Sequence, residues 1–187
     1  MDIRTKEAIR YLGYGKRAVD EKTMLLIQEC FDELEKIAEA KSVYRIFEVD
    51  FLGENLLQIA SMNIQSKSLN VNLQECEQVI LFAATLGITV DRRLRMYEIS
   101  DITKAVVMQA CAAAFLEEYC DKVQEELTWC VKPRFSPGYG DLAITYQEEI
   151  LNILDASKRI GLAMTDGYML TPTKSITAFI GIRRQKE

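Results

Sequence analysis

Six consecutive residues, Arg134-Phe-Ser-Pro-Gly-Tyr139, hold the side chains best suited to chemistry in this sequence. Pro133 and Pro137 stiffen the backbone, while Gly138 and Gly140 let it come close to a ligand. Arg134 can grip a carboxylate through two parallel hydrogen bonds, and Tyr139 offers a flat face and a hydroxyl. Such a loop suits a small anionic or zwitterionic ligand with an aromatic portion. The same residues also suit a tight connector between two helices, with Arg134 pairing a surface acid.

What is missing narrows the chemistry further. The 187 residues contain no histidine. That excludes Ser-His-Asp and Cys-His catalysis, a histidine general base and a His-ligated zinc. No residue is assigned a catalytic or metal-ligating role. The five cysteines (Cys30, Cys76, Cys111, Cys120, Cys130) form no CxxC pair and read as small buried hydrophobes in a reducing compartment. With 23 basic and 28 acidic residues the formal charge is −5, and no basic run offers a nucleic-acid surface. No apolar segment reaches the roughly 18 residues of a membrane span, and Met1-Asp-Ile-Arg-Thr-Lys-Glu7 lacks an apolar leader, so a cytoplasmic location is expected. Leu12-Gly-Tyr-Gly15 lacks the spacing of a dinucleotide loop. Thr171-Pro-Thr-Lys-Ser175 has hydroxyls and Lys174 for an anion but reads first as a hairpin connection, and Glu117 and Glu118 could serve a cationic ligand but read first as a solvated helix face.

The elements that must position the loop follow from periodicity. Helical spacing predicts helices over 4–12, 20–40, 91–98 and 101–127, the last with the stripe Ile102, Val106, Ala113, Leu116, Cys120, Val123 and Leu127. The three arginines of the 91–98 helix read as a solvated face. A helix over 145–161 would open with the capping box Thr145-Tyr-Gln-Glu148 and end at Gly161. Strands are predicted at 43–51, 56–62, 78–86, 162–165 and 175–182, with Arg45 spoiling the alternation of the first. Strands mixed with helices and no βαβ rhythm predict an α+β fold: a mainly antiparallel sheet flanked by helices, one of them long and central, in a single domain over 1–187.

The Arg-x-x-x-Gly-Tyr pattern of Arg134–Tyr139 resembles the S-adenosylmethionine-binding activation domain of cobalamin-dependent methionine synthase. The likeness extends downstream through Lys158-Arg-Ile-Gly161, Met164-Thr-Asp166 and Met169-Leu-Thr-Pro-Thr-Lys-Ser175. Upstream, Arg10-Tyr-Leu-Gly13 and Ile80-Leu-Phe-Ala-Ala-Thr-Leu-Gly87 look like the stand-alone members. The resemblance implies S-adenosylmethionine binding by Arg134, Ser136, Pro137, Gly138 and Tyr139, with the arginine on the methionyl carboxylate. It implies a stand-alone reactivation subunit that docks on a cobalamin-bearing methionine synthase or another corrinoid protein, with a flavodoxin-type reductant. The activity would be reductive methylation of Co(II) cobalamin, in which this chain is an accessory to a methyltransferase. The sequence departs from the family at Gly140, where full-length enzymes carry proline, and at Ala112-Ala-Ala114, where acidic contacts to the ligand are expected. Those departures motivate an alternative, a non-catalytic docking module that caps a corrinoid protein without S-adenosylmethionine.

Overall fold

Within the run at 78–86, residues 79–84 are apolar without a break because their strand is covered on both faces. In the computed structural model, which describes residues 2–15, 17–127 and 131–183, this strand is β4 (Cys76–Thr85). It lies between β1 (Lys41–Gly53) and β7 (Ser175–Arg183), and β2 (Leu56–Ile59) and β3 (Met62–Gln65) extend the sheet beyond β1. The order is β3-β2-β1-β4-β7, and every pairing is antiparallel.

Side-chain parity then sorts the core into two layers. Ile80, Phe82 and Ala84 of β4, with Ala178 and Ile180 of β7, face α1 (Ile3–Tyr11), α2 (Glu21–Ile37), α4 (Ile88–Ser100) and α5 (Ile102–Glu125). Val79, Leu81 and Ala83, with Phe179, face α3 (Lys67–Leu73), α6 (Tyr146–Leu154) and α7 (Ala156–Ile160). The architecture is mixed α+β, an antiparallel five-stranded sheet flanked by helices. Asp2, Asp20, Ser66 and Asp101 each accept a hydrogen bond from a backbone N–H in the first turn of α1, α2, α3 and α5.

Several expectations change against this structure. The single strand expected at 56–62 is a hairpin, β2 and β3, turning at Ala60 with φ 52°. Helix α3 is too short to show a period and has no counterpart among the predicted elements. The helix expected over 145–161 breaks at Asp155, which adopts φ 52° and separates α6 from α7. The capping box does not form: Thr145 is itself helical, and its side chain caps nothing. The strand expected at 162–165 shrinks to β5 (Ala163–Met164), paired with β6 (Leu170–Thr171) in a separate two-stranded sheet. On α5 the expected core stripe holds at Leu116 and Cys120 but fails at Ile102 and Val106, which are exposed. The helix turns Ala105, Met108 and Cys111 inward instead.

Arg45 is accommodated by the backbone of the helix above it. Its Nη1 donates to the carbonyl of Ile153, 3.1 Å away, and its guanidinium lies over the Phe47 ring. Of the three arginines on α4, Arg93 pairs with Glu33 at 2.9 Å, whereas Arg92 and Arg95 are exposed. Cys30, Cys111 and Cys120 are buried on helices and Cys76 on β4, all as free thiols, and Cys130 lies outside the described residues. Burial pushes the Cys120 thiol up to about 12. Among the described residues no helix is long and apolar enough to cross a membrane.

Tight packing where α3 crosses β7 has a measurable consequence. A Cβ built on Gly181 would stand 2.6 Å from Cys76 Sγ and 3.0 Å from Leu73 Cδ2. Gly181→Ala is therefore expected to destabilise the fold by about 1–3 kcal/mol through overpacking. Urea unfolding with an unshifted midpoint would contradict that packing.

Candidate functional site

The loop that follows α5 is held as an extra ribbon along β7. Lys132 N donates to Gly181 O at 2.8 Å, Phe135 N to Phe179 O at 2.9 Å, and Phe179 N returns the bond to Phe135 O at 2.8 Å. The Lys132 ammonium donates to the Gln74 carbonyl. Beyond Phe135 the chain turns back on itself: Tyr139 N donates to Ser136 O at 3.2 Å and Gly138 N to Leu142 O at 2.8 Å. The turn requires Gly138 at φ 93°.

The far end of the loop is fastened to α3. Asp141 Oδ1 accepts from Ser66 Oγ at 2.6 Å and Ser68 N at 3.0 Å, and Oδ2 accepts from Lys67 N at 2.8 Å. Bringing the chain to that helix end puts Gly140 at φ 56°, where a Cβ would stand 2.5 Å from Ser68 Oγ. Proline, with φ fixed near −65°, cannot adopt this conformation, so this loop leaves its turn by a route that a proline here would forbid. Hydrogen bonds from Ser66, Ser68 and Lys67 hold the Asp141 carboxyl well below the usual carboxylate range. A depressed pKa contributes stability that is fully present above the unfolded-state value and is lost as pH falls through the folded one. The stability difference between wild type and Asp141→Asn should thus stay constant near neutrality and shrink below about pH 4. Urea midpoints across that range test it, and a gap that widens in acid would contradict it.

Arg134 points from the loop toward α5. Its Nη2 meets Glu117 Oε2 and Asp121 Oδ1, each at 2.7 Å, and its Nη1 donates to Gln124 Oε1 at 3.0 Å. Only 13% of the side chain is exposed. Burial works against its charge, but the hydrogen bonds to Asp121 and Glu117 outweigh this and raise its pKa further. The arginine thus has the acid partner that the connector reading expected, on the neighbouring helix. Beside it opens a cavity of about 670 Å³, walled by Glu117, Asp121 and Gln124 on one side and by Arg134, Ser136 and Tyr139 on the other. Tyr139 is 63% exposed and packs edge-on against Phe135, with ring centroids 6.4 Å apart. Pro137 and Gly138 face a second depression of about 420 Å³ with Ser136 and Tyr139, toward Ile144 and Leu170. The five loop residues singled out in the sequence therefore line two adjoining hollows.

Helix α5 supplies two acids that sequence reasoning missed, Asp121 and Glu125, beside Glu117, which it named. Glu117, Asp121 and Glu125 recur every four residues and so share one face, which was a legible signal. Of the pair Glu117 and Glu118, only Glu117 reaches the cavity; Glu118 pairs with Lys122 at 3.0 Å and stands 3.8 Å from Arg4. Ala112 and Ala114 are buried against the core, whereas Glu117, Asp121 and Glu125 line the cavity. The Thr171–Ser175 run binds within the protein. Asp91 accepts from Thr173 N at 2.8 Å and Thr173 Oγ1 at 2.9 Å, Lys174 Nζ donates to Gln109 O at 3.2 Å, and Ser175 Oγ donates to Pro172 O at 2.6 Å. No group of three or more metal-ligating side chains occurs among the described residues.

Comparison with solved structures is decisive for the architecture. The chain superposes on a structure described as the MetH reactivation domain bound to AdoHcy, with a TM-score of 0.66 over 97% of this chain and 75% of that one. It has the fold of the MetH reactivation domain. Identity between the two is 14%, so the likeness speaks for the fold and not for the site. No protein-family model matches the sequence. No curated protein matches it either. The reactivation-domain fold agrees with the architecture that the Arg134–Tyr139 resemblance implied.

Proposed function

We infer that this chain is a reactivation subunit for cobalamin-dependent methionine synthase, acting in trans from the cytoplasm. It binds S-adenosylmethionine in the cavity beside Arg134 and docks on a cobalamin-bearing partner for reductive methylation of Co(II) cobalamin, with an electron from a flavodoxin-type reductant. The observation that carries this reading is the placement of Arg134, Ser136 and Tyr139 around one cavity of about 670 Å³, in a chain with the reactivation-domain fold. That volume is within the range of pockets that take drug-sized ligands.

On this reading the corrinoid, carried by the partner, supplies the acceptor for the sulfonium methyl. The residues of this chain bind and orient. Arg134 takes the methionyl carboxylate, and Glu117, its less exposed acid partner, takes the ammonium of the same ligand. Ser136, Pro137 and Gly138 present a stiff backbone, and Tyr139 offers its ring to the nucleoside. A sulfonium is already a good leaving group, so positioning is the main contribution asked of the protein.

A second reading has its own support. Arg134 already satisfies two carboxylates and an amide, as it would in a docking module that caps a corrinoid protein and binds no S-adenosylmethionine. Calorimetric titration of the purified chain with S-adenosylmethionine, alone and with a methionine synthase fragment ending after its cobalamin domain, separates the two. Heat that disappears in Arg134→Ala supports the first. Partner binding indifferent to S-adenosylmethionine supports the second.

A further inference from the structure

Carboxylates outnumber cations around Arg134. Glu117 and Asp121 both contact one guanidinium nitrogen, and Glu125, one turn along α5, lines the same cavity. A single guanidinium offsets one of these three charges. Gln124 is neutral, and Lys132 is engaged with the Gln74 carbonyl. The cavity therefore keeps a negative potential even with its arginine in place.

A ligand carboxylate at Arg134 competes with the acids already there, because Nη2 is shared between Glu117 and Asp121. Asp121 is the one with solvent at its back, its side chain 60% exposed against 38% for Glu117. Once displaced, it remains at the cavity wall as an unpaired anion. We propose that Asp121 makes the cavity selective for ligand charge, favouring the sulfonium S-adenosylmethionine over its thioether product S-adenosylhomocysteine. The inference rests on the S-adenosylmethionine reading above.

The two ligands share their nucleoside and amino-acid parts, so contacts to those parts cancel in the affinity ratio. They differ by a methyl group and one positive charge, on a sulfur two methylenes from the amino-acid carbon. Contact between unit charges near the protein surface is worth about fivefold or more in affinity. The preference would also clear the site after methyl transfer, because losing the methyl removes the charge that the carboxylates favour.

The experiment is calorimetry on the full chain with S-adenosylmethionine and, separately, S-adenosylhomocysteine, for wild type and Asp121→Asn. Wild type should prefer the sulfonium by about fivefold or more at low salt, and the preference should shrink at about 0.5 M salt, where screening is short-ranged. Asp121→Asn should bind the thioether at least as tightly as wild type while the ratio falls toward one. Equal wild-type affinities at low salt, or a ratio unmoved by Asp121→Asn, overturns the selectivity and leaves the S-adenosylmethionine reading standing. If neither ligand binds wild type, that reading fails and the selectivity falls with it.

Discussion

Arg134→Ala should lower S-adenosylmethionine affinity by about 2–5 kcal/mol, that is about thirtyfold or more. Two effects act in the same direction. The ligand carboxylate loses its partner, and it then faces Glu117 and Asp121 with nothing between to offset them. Arg134→Lys separates charge from shape: an ammonium keeps the charge but cannot serve Glu117, Asp121 and Gln124 together as the planar guanidinium does. It should fall between wild type and alanine. Stability should change far less than affinity, because the acids that lose their partner remain in contact with solvent. Isothermal titration measures the first quantity and thermal unfolding the second. Unchanged affinity in Arg134→Ala would remove Arg134 from the site.

The largest stability loss is expected at Phe179. Its ring is fully buried in the layer formed with α3, α6 and α7, while its backbone pairs with Phe135 in both directions. Truncation to alanine removes the ring and leaves a cavity, at about 3–5 kcal/mol. For a chain of this length that corresponds to a melting point lower by roughly 6–20 °C. The backbone bonds to Phe135 do not depend on the side chain, so the folded fraction should retain ligand affinity. Phe51→Ala, at an exposed position near the end of β1, is the control and should change stability little. Equal melting points for the two variants would contradict the two-layer core.

The architecture was legible where burial imposes a pattern. β4 announced itself because both faces are covered, and α5 because its length and small residues leave little else for such a segment to be. Where tertiary contacts override local preference, the reading failed. Thr145 and Glu148 look like a cap, yet Thr145 adopts helical angles and its side chain bonds nothing. Ile102 and Val106 belong to an apolar stripe by spacing but face solvent, because α5 turns its alanine and cysteine side inward to lie close to its neighbours. Asp155 breaks a periodic segment through a left-handed conformation that no composition signal marks. The loop residues could be named in advance, since proline, glycine, arginine and tyrosine at that density are informative by type. Of their partners on α5, Glu117 is named by the sequence alone, whereas Asp121 and Glu125, though spaced four residues apart on its face, gain their meaning only when the chain folds back and places Arg134 against that face.

The ribbon that runs along β7 bears on where the entropy of recognition falls. Loops that close over ligands lose their freedom at the moment of binding. Here Phe135 and Lys132 are hydrogen-bonded into the sheet edge, and Asp141 pins the other end to α3. The backbone between these two anchors is ordered when the protein folds, so its ordering cost falls on folding rather than on the encounter. What remains free to rearrange is side chains on a helix face, above all the exposed carboxylate of Asp121. On the proposed function, admission to the cavity beside Arg134 is an exchange of ion partners on a rigid frame, not the opening of a lid.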